Sequence, residues 1–156
     1  MPGTRAAARG SHPARQNASF TLAKVCRAHR AHVGELLSAH GLHVGQDMVL
    51  VELWQEDGLR GGELAERLGV EPPTVTKMLR RLEACGLVER RADPEDARSL
   101  RVYLTARGRA LEGPVARCWE QAERTVLAGM SAGDRRAFRA LLYRVRRNLD
   151  PEFGAG

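Results

Sequence analysis

The chain has 156 residues, of which 25 are Lys or Arg and 19 are Asp or Glu, so its formal net charge is +6. This length suits one domain with its own core, and the longest strongly apolar run, residues 48–51, is far shorter than the roughly 20 residues that cross a bilayer. The three cysteines lie far apart and cannot form a closed disulfide framework, which argues against a small secreted scaffold and fits a reducing cytoplasm.

The positive charge is unevenly distributed along the chain. Residues 1–18, 71–109 and 110–156 carry +3, +3 and +2, whereas residues 19–70 carry −2. Basic segments in a tail, in the middle and at the C-terminal end favour a polyanionic partner such as nucleic acid.

The N-terminal third predicts a tail and two helices. Residues 1–18 have almost no large apolar side chain and are predicted to be a flexible basic tail. From Phe20 to His40, apolar residues recur at spacings of three, four and seven, which predicts a helix with one buried stripe that Gly41 ends. Residues 45–56 are apolar nearly all round, so we expect a central, buried helix.

The middle of the chain predicts a helix-turn-helix, preceded by a very short strand at residues 59–60. Residues 63–68 form the first helix, which Gly69 ends, and the second runs from Pro72 to about Cys85. Its inward positions are Val75, Met78, Leu79 and Leu82, and its outward positions are Thr74, Thr76, Lys77, Arg80 and Arg81. An apolar inner face and a Thr/Lys/Arg outer face are typical of a DNA-reading helix.

A β-hairpin follows directly, so the unit is predicted to be winged. Residues 87–91 and 100–104 are β-prone runs, and the loop between them is rich in turn-forming residues. The fold class expected is therefore mainly α with a small β wing.

The C-terminal part predicts two helices. Thr105 is expected to cap a long helix over residues 106–130, which Pro114 should kink or locally open. Ser131 and Asp134 read as a capping box for the last helix. The apolar stripes around Trp119 and Phe138 exceed what one small winged unit covers, which favours dimerisation over packing within one chain.

The outward face of the second helix supplies the candidate major-groove contacts. Thr74, Thr76 and Lys77 lie in its first turns, beside Pro73, and Arg80 or Arg81 would bond guanine or a phosphate. The start of this helix also offers unpaired amides to a phosphate oxygen. The alternative is that the arginines form an ordinary solvated helix face.

The wing supplies a candidate minor-groove contact. Arg98 is expected near the wing tip, where its side chain would enter the minor groove, and Asp96 would hold its guanidinium through a carboxylate pair. Arg90, Arg91 and Arg101 flank the wing as candidate phosphate contacts. The alternatives are a plain turn-stabilising Asp96–Arg98 pair and a winged helix that binds proteins rather than DNA.

Two segments resemble the multiple-antibiotic-resistance regulator (MarR) family. Residues 62–90 are similar to its helix-turn-helix, and residues 93–105 match its wing signature, with Asp96, Arg98 and Leu104-Thr105 at the positions the pattern requires. The similarity covers about residues 20–149, nearly the whole predicted ordered chain.

The resemblance implies a homodimeric transcription regulator, usually a repressor, that binds a pseudo-palindromic double-stranded operator with half-sites about one helical turn apart. It implies one domain over residues 19–149, with dimerisation helices at 19–45 and 106–149, a DNA-binding part at 46–105 and a C-terminal tail at 150–156. Carried over, the major-groove residues are Thr74, Thr76, Lys77 and Arg81; Arg98 lies in the minor groove, positioned by Asp96.

The input signal is left open between three hypotheses. The resemblance implies a small aromatic or phenolic effector in a crevice, for which the candidates are His29, Met48, Trp54 and Trp119. The second is a thiol switch at Cys26, since Lys24 and Arg27 would favour a thiolate there.

The third hypothesis is a metal site. His29 and His32 have ligand spacing, with His40 and His43 beyond them, but surface or capping histidines are favoured and no metal is expected. No catalytic constellation is visible, so no enzyme activity and no cofactor are expected. We expect a cytoplasmic protein that lies on the nucleoid when bound to DNA and does not engage membranes.

Overall fold

The computed structural model describes residues 12–150. Its helices are Ala18–Ser38 (α1), Gln46–Gln55 (α2), Gly61–Leu68 (α3), Pro72–Ala84 (α4), Ala106–Ala110 (α5), Glu112–Val126 (α6) and Ala132–Leu149 (α7). Its strands are Leu59–Arg60 (β1), Val88–Ala92 (β2) and Leu100–Leu104 (β3). The mainly helical fold with a small β wing is thereby confirmed.

The strands form one antiparallel sheet in the order β1-β3-β2. β2 and β3 make the hairpin, with Val88 opposite Leu104 and Ala92 opposite Leu100, and Leu59 of β1 pairs with Val102. The two-residue strand thus ties the hairpin to the segment that leads into α3.

The chain divides into two compact units after Trp119, so that α6 begins in the first unit and ends in the second. The first unit contains the helix-turn-helix and the hairpin. Its core is formed by fully buried leucines and valines of α2, α3, α4 and the sheet: Val49, Leu50, Leu53, Leu64, Val75, Leu82 and Val102.

In the second unit, α7 begins at the predicted capping box. The Ser131 side chain accepts a hydrogen bond from the Asp134 amide, and the Asp134 carboxylate accepts one from the Ser131 amide at 3.1 Å. An ion pair between Glu123 and Arg139, at 2.5 Å, joins the end of α6 to α7. No residue of α7 is buried.

The turn between α3 and α4 is set by a glycine. Gly69 adopts a φ of +61°, which an L side chain adopts only with strain, and the Val70 amide donates back to the Ala65 carbonyl at 3.0 Å. Gly41 ends the first helix in the same way, as predicted, with a φ of +71°. The glycine signals therefore located these helix ends correctly.

Two expectations about the N-terminal part of the chain need correction. The flexible tail was predicted to reach residue 18, but residues 13–16 form a 3-10 turn and the Asn17 side chain caps α1 by accepting from the Ser19 amide at 2.8 Å. Residues 1–11 of that tail and residues 151–156 lie outside the described residues. In α2, Met48 and Val51 are 44% and 39% exposed, so this helix is not buried all round.

The long helix predicted over residues 106–130 is divided at Leu111 into α5 and α6. Pro114 is the cause, because its ring excludes the carbonyl four residues earlier and it has no amide hydrogen to donate. It therefore lies in the first turn of α6, where that amide has no helical partner in any case. Thr105 caps α5 as predicted, accepting a hydrogen bond from the Gly108 amide.

Candidate nucleic-acid interface

The inward and outward faces of α4 fall where the sequence placed them. Val75, Leu79 and Leu82 are buried against the core, and Met78 is half-buried. The five outward side chains are all exposed: Thr74, Thr76, Lys77, Arg80 and Arg81. We call these five the α4 outer face.

The α4 outer face carries three cations: Lys77, Arg80 and Arg81. Among the described residues, Lys77, Arg80 and Arg81 have no ion-pair partner. Thr76 donates its hydroxyl hydrogen to the Pro72 carbonyl at 3.0 Å, which leaves its methyl group and its oxygen lone pairs for a ligand. This face is thus an exposed positive surface with two hydroxyls near the helix start.

The start of α4 does not offer the free amides that the sequence suggested for a phosphate. Its first two residues, Pro72 and Pro73, have no amide hydrogen, and the amides of Thr74 and Val75 both donate to the Glu71 carbonyl, at 2.9 and 3.4 Å. Side chains rather than backbone amides must therefore supply any anion contact at this helix start.

Arg98 lies in the loop of residues 93–99 between β2 and β3, which we call the wing loop, and its side chain is exposed without an ion-pair partner among the described residues. The prediction that Asp96 holds the Arg98 guanidinium is wrong. Its carboxylate instead accepts from the Ser99 hydroxyl at 2.7 Å and from the Arg98 backbone amide at 3.0 Å, and these bonds, that of Ser99 first, lower the pKa of Asp96. Asp96 fixes the backbone that carries Arg98.

The arginines that flank the wing are held by carboxylates. Arg90 Nε lies 3.3 Å from Glu83 Oε2, an ion pair between β2 and α4 that lacks the geometry of a hydrogen bond. Arg91 donates to Glu89 at 2.9 Å, and its guanidinium stands 4.6 Å from the centre of the Tyr103 ring. These contacts fix both side chains on the hairpin, so they are less available to a phosphate than Arg98.

Asp93, at the end of the hairpin, is the polar centre of the wing and was missed from the sequence. The Asp93 side chain has no exposed surface. Its oxygens accept from Arg60 Nε at 2.6 Å and from the Glu95 amide at 3.0 Å, and Arg101 Nε lies 3.1 Å from its Oδ2. These bonds hold the pKa of Asp93 at about 2, the Glu95 amide contributing most. An Asp before Pro94 indicated a turn, but not its buried partners.

The carboxylate of Asp57 fixes the other end of the hairpin. Its Oδ1 accepts from the Leu104 amide at 2.9 Å, and its Oδ2 accepts from Arg109 at 2.5 Å. Asp57 thereby joins the turn after α2 to β3 and α5. The sheet is anchored by carboxylates at both ends of β3.

The four candidate effector residues are only partly brought together. The rings of His29 and Trp119 lie 6.0 Å apart, and the indole nitrogen of Trp119 is buried without a hydrogen-bond partner among the described residues. Trp54 donates its indole hydrogen to the Gly108 carbonyl at 3.2 Å, which is a structural contact. Met48 is exposed.

Cys26 is exposed, and the three cysteines are free thiols. Within residues 12–150, no three His, Cys, Asp or Glu side chains come close enough together to hold a metal ion. In the same part of the chain, none of the helices combines the length and apolar composition that crossing a membrane requires.

Comparison with known proteins places this arrangement among transcription regulators. The profile of the MarR family matches residues 42–100, which include the helix-turn-helix and most of the hairpin. The HTH-type transcriptional repressor Rv2887 of Mycobacterium tuberculosis is 36% identical over 126 residues, covering 81% of this chain and 91% of that protein.

Two further similarities extend over most of the chain. The HTH-type transcriptional regulator TtmR of Methylorubrum extorquens is 37% identical over 131 residues, which cover 83% of this chain and 63% of TtmR. A crystal structure of a MarR-family transcriptional regulator from Silicibacter pomeroyi superimposes with a TM-score of 0.66 at 30% identity, over 86% of this chain and 90% of that one.

Proposed function

The chain belongs to the MarR family of transcriptional regulators, not of enzymes, and from this premise we propose that it is a repressor that binds operator DNA through α4 and the wing loop. The observation that carries the proposal is the pairing of two features in one winged unit. Within residues 12–150 the cations of the α4 outer face have no ion-pair partner, and Arg98 is exposed on the adjoining wing.

In the proposed complex, α4 lies in the major groove. The groove admits one helix, and residues in the first turns of that helix reach base edges. Thr74, Thr76 and Lys77 occupy those turns. Arg80 and Arg81 lie one turn further along, where an arginine forms two bonds to a guanine or one contact to a phosphate.

The wing loop then reaches the adjacent minor groove. Phosphates on both sides of that groove concentrate negative potential, which attracts an inserted arginine. Arg98 suits this role because its guanidinium is not held by a carboxylate of the described residues, in contrast to Arg91 and Arg101. Asp96 contributes by fixing the Arg98 backbone, not its side-chain head group.

We propose that the regulator acts as a homodimer on a pseudo-palindromic operator, in the cytoplasm and on the nucleoid. Support comes from α7, whose apolar residues are exposed in the single chain: Leu142 is 44% exposed and Leu149 is 77% exposed. Exposed apolar stripes of this kind usually mark an interface. A twofold dimer would place two α4 helices about one helical turn apart.

A response to a small aromatic effector is the regulatory part of the proposal. The contact between His29 and Trp119 supports it. The buried indole nitrogen of Trp119 has no hydrogen-bond partner in the described part of the chain, and a polar ligand atom would satisfy such a donor. The exposed thiol of Cys26 supports the competing input, a redox switch, which peroxide treatment would reveal.

The test is a titration of a fluorescently labelled random duplex at several salt concentrations. Each phosphate contact releases counterions. The logarithm of the binding constant should therefore fall linearly with the logarithm of the salt concentration, with a slope of about −0.9 for each contact. The variant Lys77→Ala/Arg80→Ala/Arg81→Ala should reduce that slope by about 2 to 3 units if its cations meet phosphates.

The matched control removes three positive charges elsewhere. Arg136, Arg144 and Arg147 of α7 are also exposed and have no ion-pair partner among the described residues. Because α7 is also the proposed dimer interface, this triple alanine variant is compared at concentrations at which sedimentation shows it and the wild type to be in the same oligomeric state, and its slope should then stay near that of the wild type. Salt-independent binding, or equal losses in both triple variants, would contradict the proposed interface and favour a protein-binding winged helix.

A further inference from the structure

The wing loop is organised by two carboxylates at two levels. At the tip, Asp96 accepts from the Arg98 amide and the Ser99 hydroxyl. At the base, the Asp93 amide donates to the Ser99 carbonyl at 3.0 Å and the Asp93 carbonyl accepts from the Asp96 amide at 3.3 Å, which closes the loop on itself. The tip that carries Arg98 is therefore continuous with Asp93.

The side chain of Asp93 connects this loop to the body of the winged unit. Its partner Arg60 immediately precedes α3, and the Arg60 amide is itself fixed by Glu63 of that helix at 2.6 Å. Its other partner, Arg101, also donates to the Gly58 carbonyl at 3.1 Å. Both cations are thus tied to the segment between α2 and α3.

Resting on the proposed function, we infer that Asp93 is a positioning residue for DNA recognition, which sets the place of Arg98 relative to α4 by locking the base of the wing loop onto Arg60 and Arg101. Nothing in this role requires Asp93 to touch DNA, since its side chain has no exposed surface. It acts through Arg98.

The physical reason is that α4 and Arg98 must reach two adjacent grooves at the same time. A wing loop fixed to the start of α3 presents Arg98 at a set distance from the helix-turn-helix, so that both contacts form without further ordering. A loop released from Arg60 would have to be ordered on binding. That cost falls on the wing contact and leaves the contacts of α4 in place.

An ionised carboxylate is the group that this position requires. Asp93 accepts from two guanidinium groups and one amide, which occupy both of its oxygens. Asparagine has one acceptor oxygen, and its amino group would face a donor. Asp93→Asn therefore preserves the size of the side chain while removing at least one of these bonds.

The experiment is a double-mutant cycle on a duplex that the wild type selects from a randomised library. Asp93→Asn should bind that duplex about tenfold more weakly than the wild type, because the wing must then be ordered on binding. The salt slope should fall by about one unit, as it does when one arginine contact is lost. In the Arg98→Ala background, Asp93→Asn should change the affinity by less than about twofold.

Two further variants make the cycle decisive. Glu95→Gln is the matched control. The Glu95 carboxylate is exposed and lies 3.6 Å from Arg101, a longer contact than the 3.1 Å between Arg101 and Asp93, so this variant should bind like the wild type. Arg60→Lys keeps the charge but loses the forked guanidinium. Because the Arg60 side chain is 39% exposed whereas that of Asp93 is fully buried, we expect this variant to disturb folding less than Asp93→Asn does. It should weaken binding in the same non-additive way.

The outcomes separate this inference from the proposed function. A wild type without salt-sensitive DNA binding would overturn both. If Arg98→Ala weakens binding but Asp93→Asn and Arg60→Lys do not, only the role of Asp93 is refuted. Equal losses from Asp93→Asn with and without Arg98 would also refute it, since a general loss of folded protein does not depend on Arg98.

Discussion

Gly108 is the position where the structure makes the strongest statement about a single substitution. It lies in α5, and a Cβ added there would come closer than 3.0 Å to the Leu87 carbonyl oxygen, a separation that real Cβ atoms essentially never have. It would also approach Leu104 Cδ2 at 3.2 Å. The Leu87 oxygen cannot move aside, because it belongs to the backbone and accepts from the Thr105 amide at 3.1 Å.

The expected effect of Gly108→Ala is a clear loss of stability. Overpacking of a core costs about 1–3 kcal/mol and occasionally more. Because the clash at Gly108 is with a backbone atom, the upper end of that range, about 3 kcal/mol, applies. Alanine regains about 0.5–1 kcal/mol over glycine within a helix, so a net loss of about 2 kcal/mol is expected. For a chain of this size each kcal/mol lowers Tm by about 2–4 °C, which gives a decrease of about 4–8 °C.

Thermal unfolding followed by circular dichroism measures this effect. Gly62→Ala is the matched control, because nothing lies within 4 Å of the Cβ it would add in α3. Its Tm should be unchanged or slightly raised. If Gly108→Ala has a Tm equal to that of the control, the close packing of α5 against the start of the hairpin is wrong.

Three other substitutions have defined outcomes. Arg98→Ala should weaken binding to the selected duplex by about 1–3 kcal/mol while Tm stays the same; a smaller loss than in Arg91→Ala, whose guanidinium is already held by Glu89, would refute the role of Arg98. The pKa of Asp93, about 2, lies below its ordinary 3.8, so its contribution to stability is complete above pH 4 and is lost as pH falls towards 2. Urea unfolding of the wild type should therefore lose more stability over that range than Asp93→Asn, and parallel losses would contradict the network. If the Cys26 thiol is the input, peroxide should release DNA from the wild type but not from Cys26→Ser. Release from both proteins would exclude Cys26 as the redox switch.

Local sequence signals predicted most of the fold, because each acts over a few residues. A glycine with positive φ ended α3 at Gly69, Thr105 and Ser131 capped their helices, and Pro114 interrupted the long helix. Each effect arises from backbone geometry or from one nearby hydrogen bond. The periodicity of α4 likewise predicted which side chains are exposed.

What the sequence could not supply depends on contacts between distant segments. Asp93 and Arg60 are 33 residues apart, and nothing in the local pattern of either indicates the other. Trp54, assigned to an effector crevice, bonds Gly108 from 54 residues away. Asp96 was assigned correctly to the wing, but two residues of spacing do not decide between the backbone amide and the guanidinium of Arg98.

The central claim is that α4 lies in the major groove while Arg98 enters the adjacent minor groove. Dimethyl sulfate footprinting on the selected duplex tests it directly, since this reagent methylates guanine N7 in the major groove and adenine N3 in the minor groove. We expect N7 protection in two half-sites about one helical turn apart, flanked by N3 protection that Arg98→Ala removes. N3 protection that persists in Arg98→Ala, or a complex without N7 protection, would contradict it.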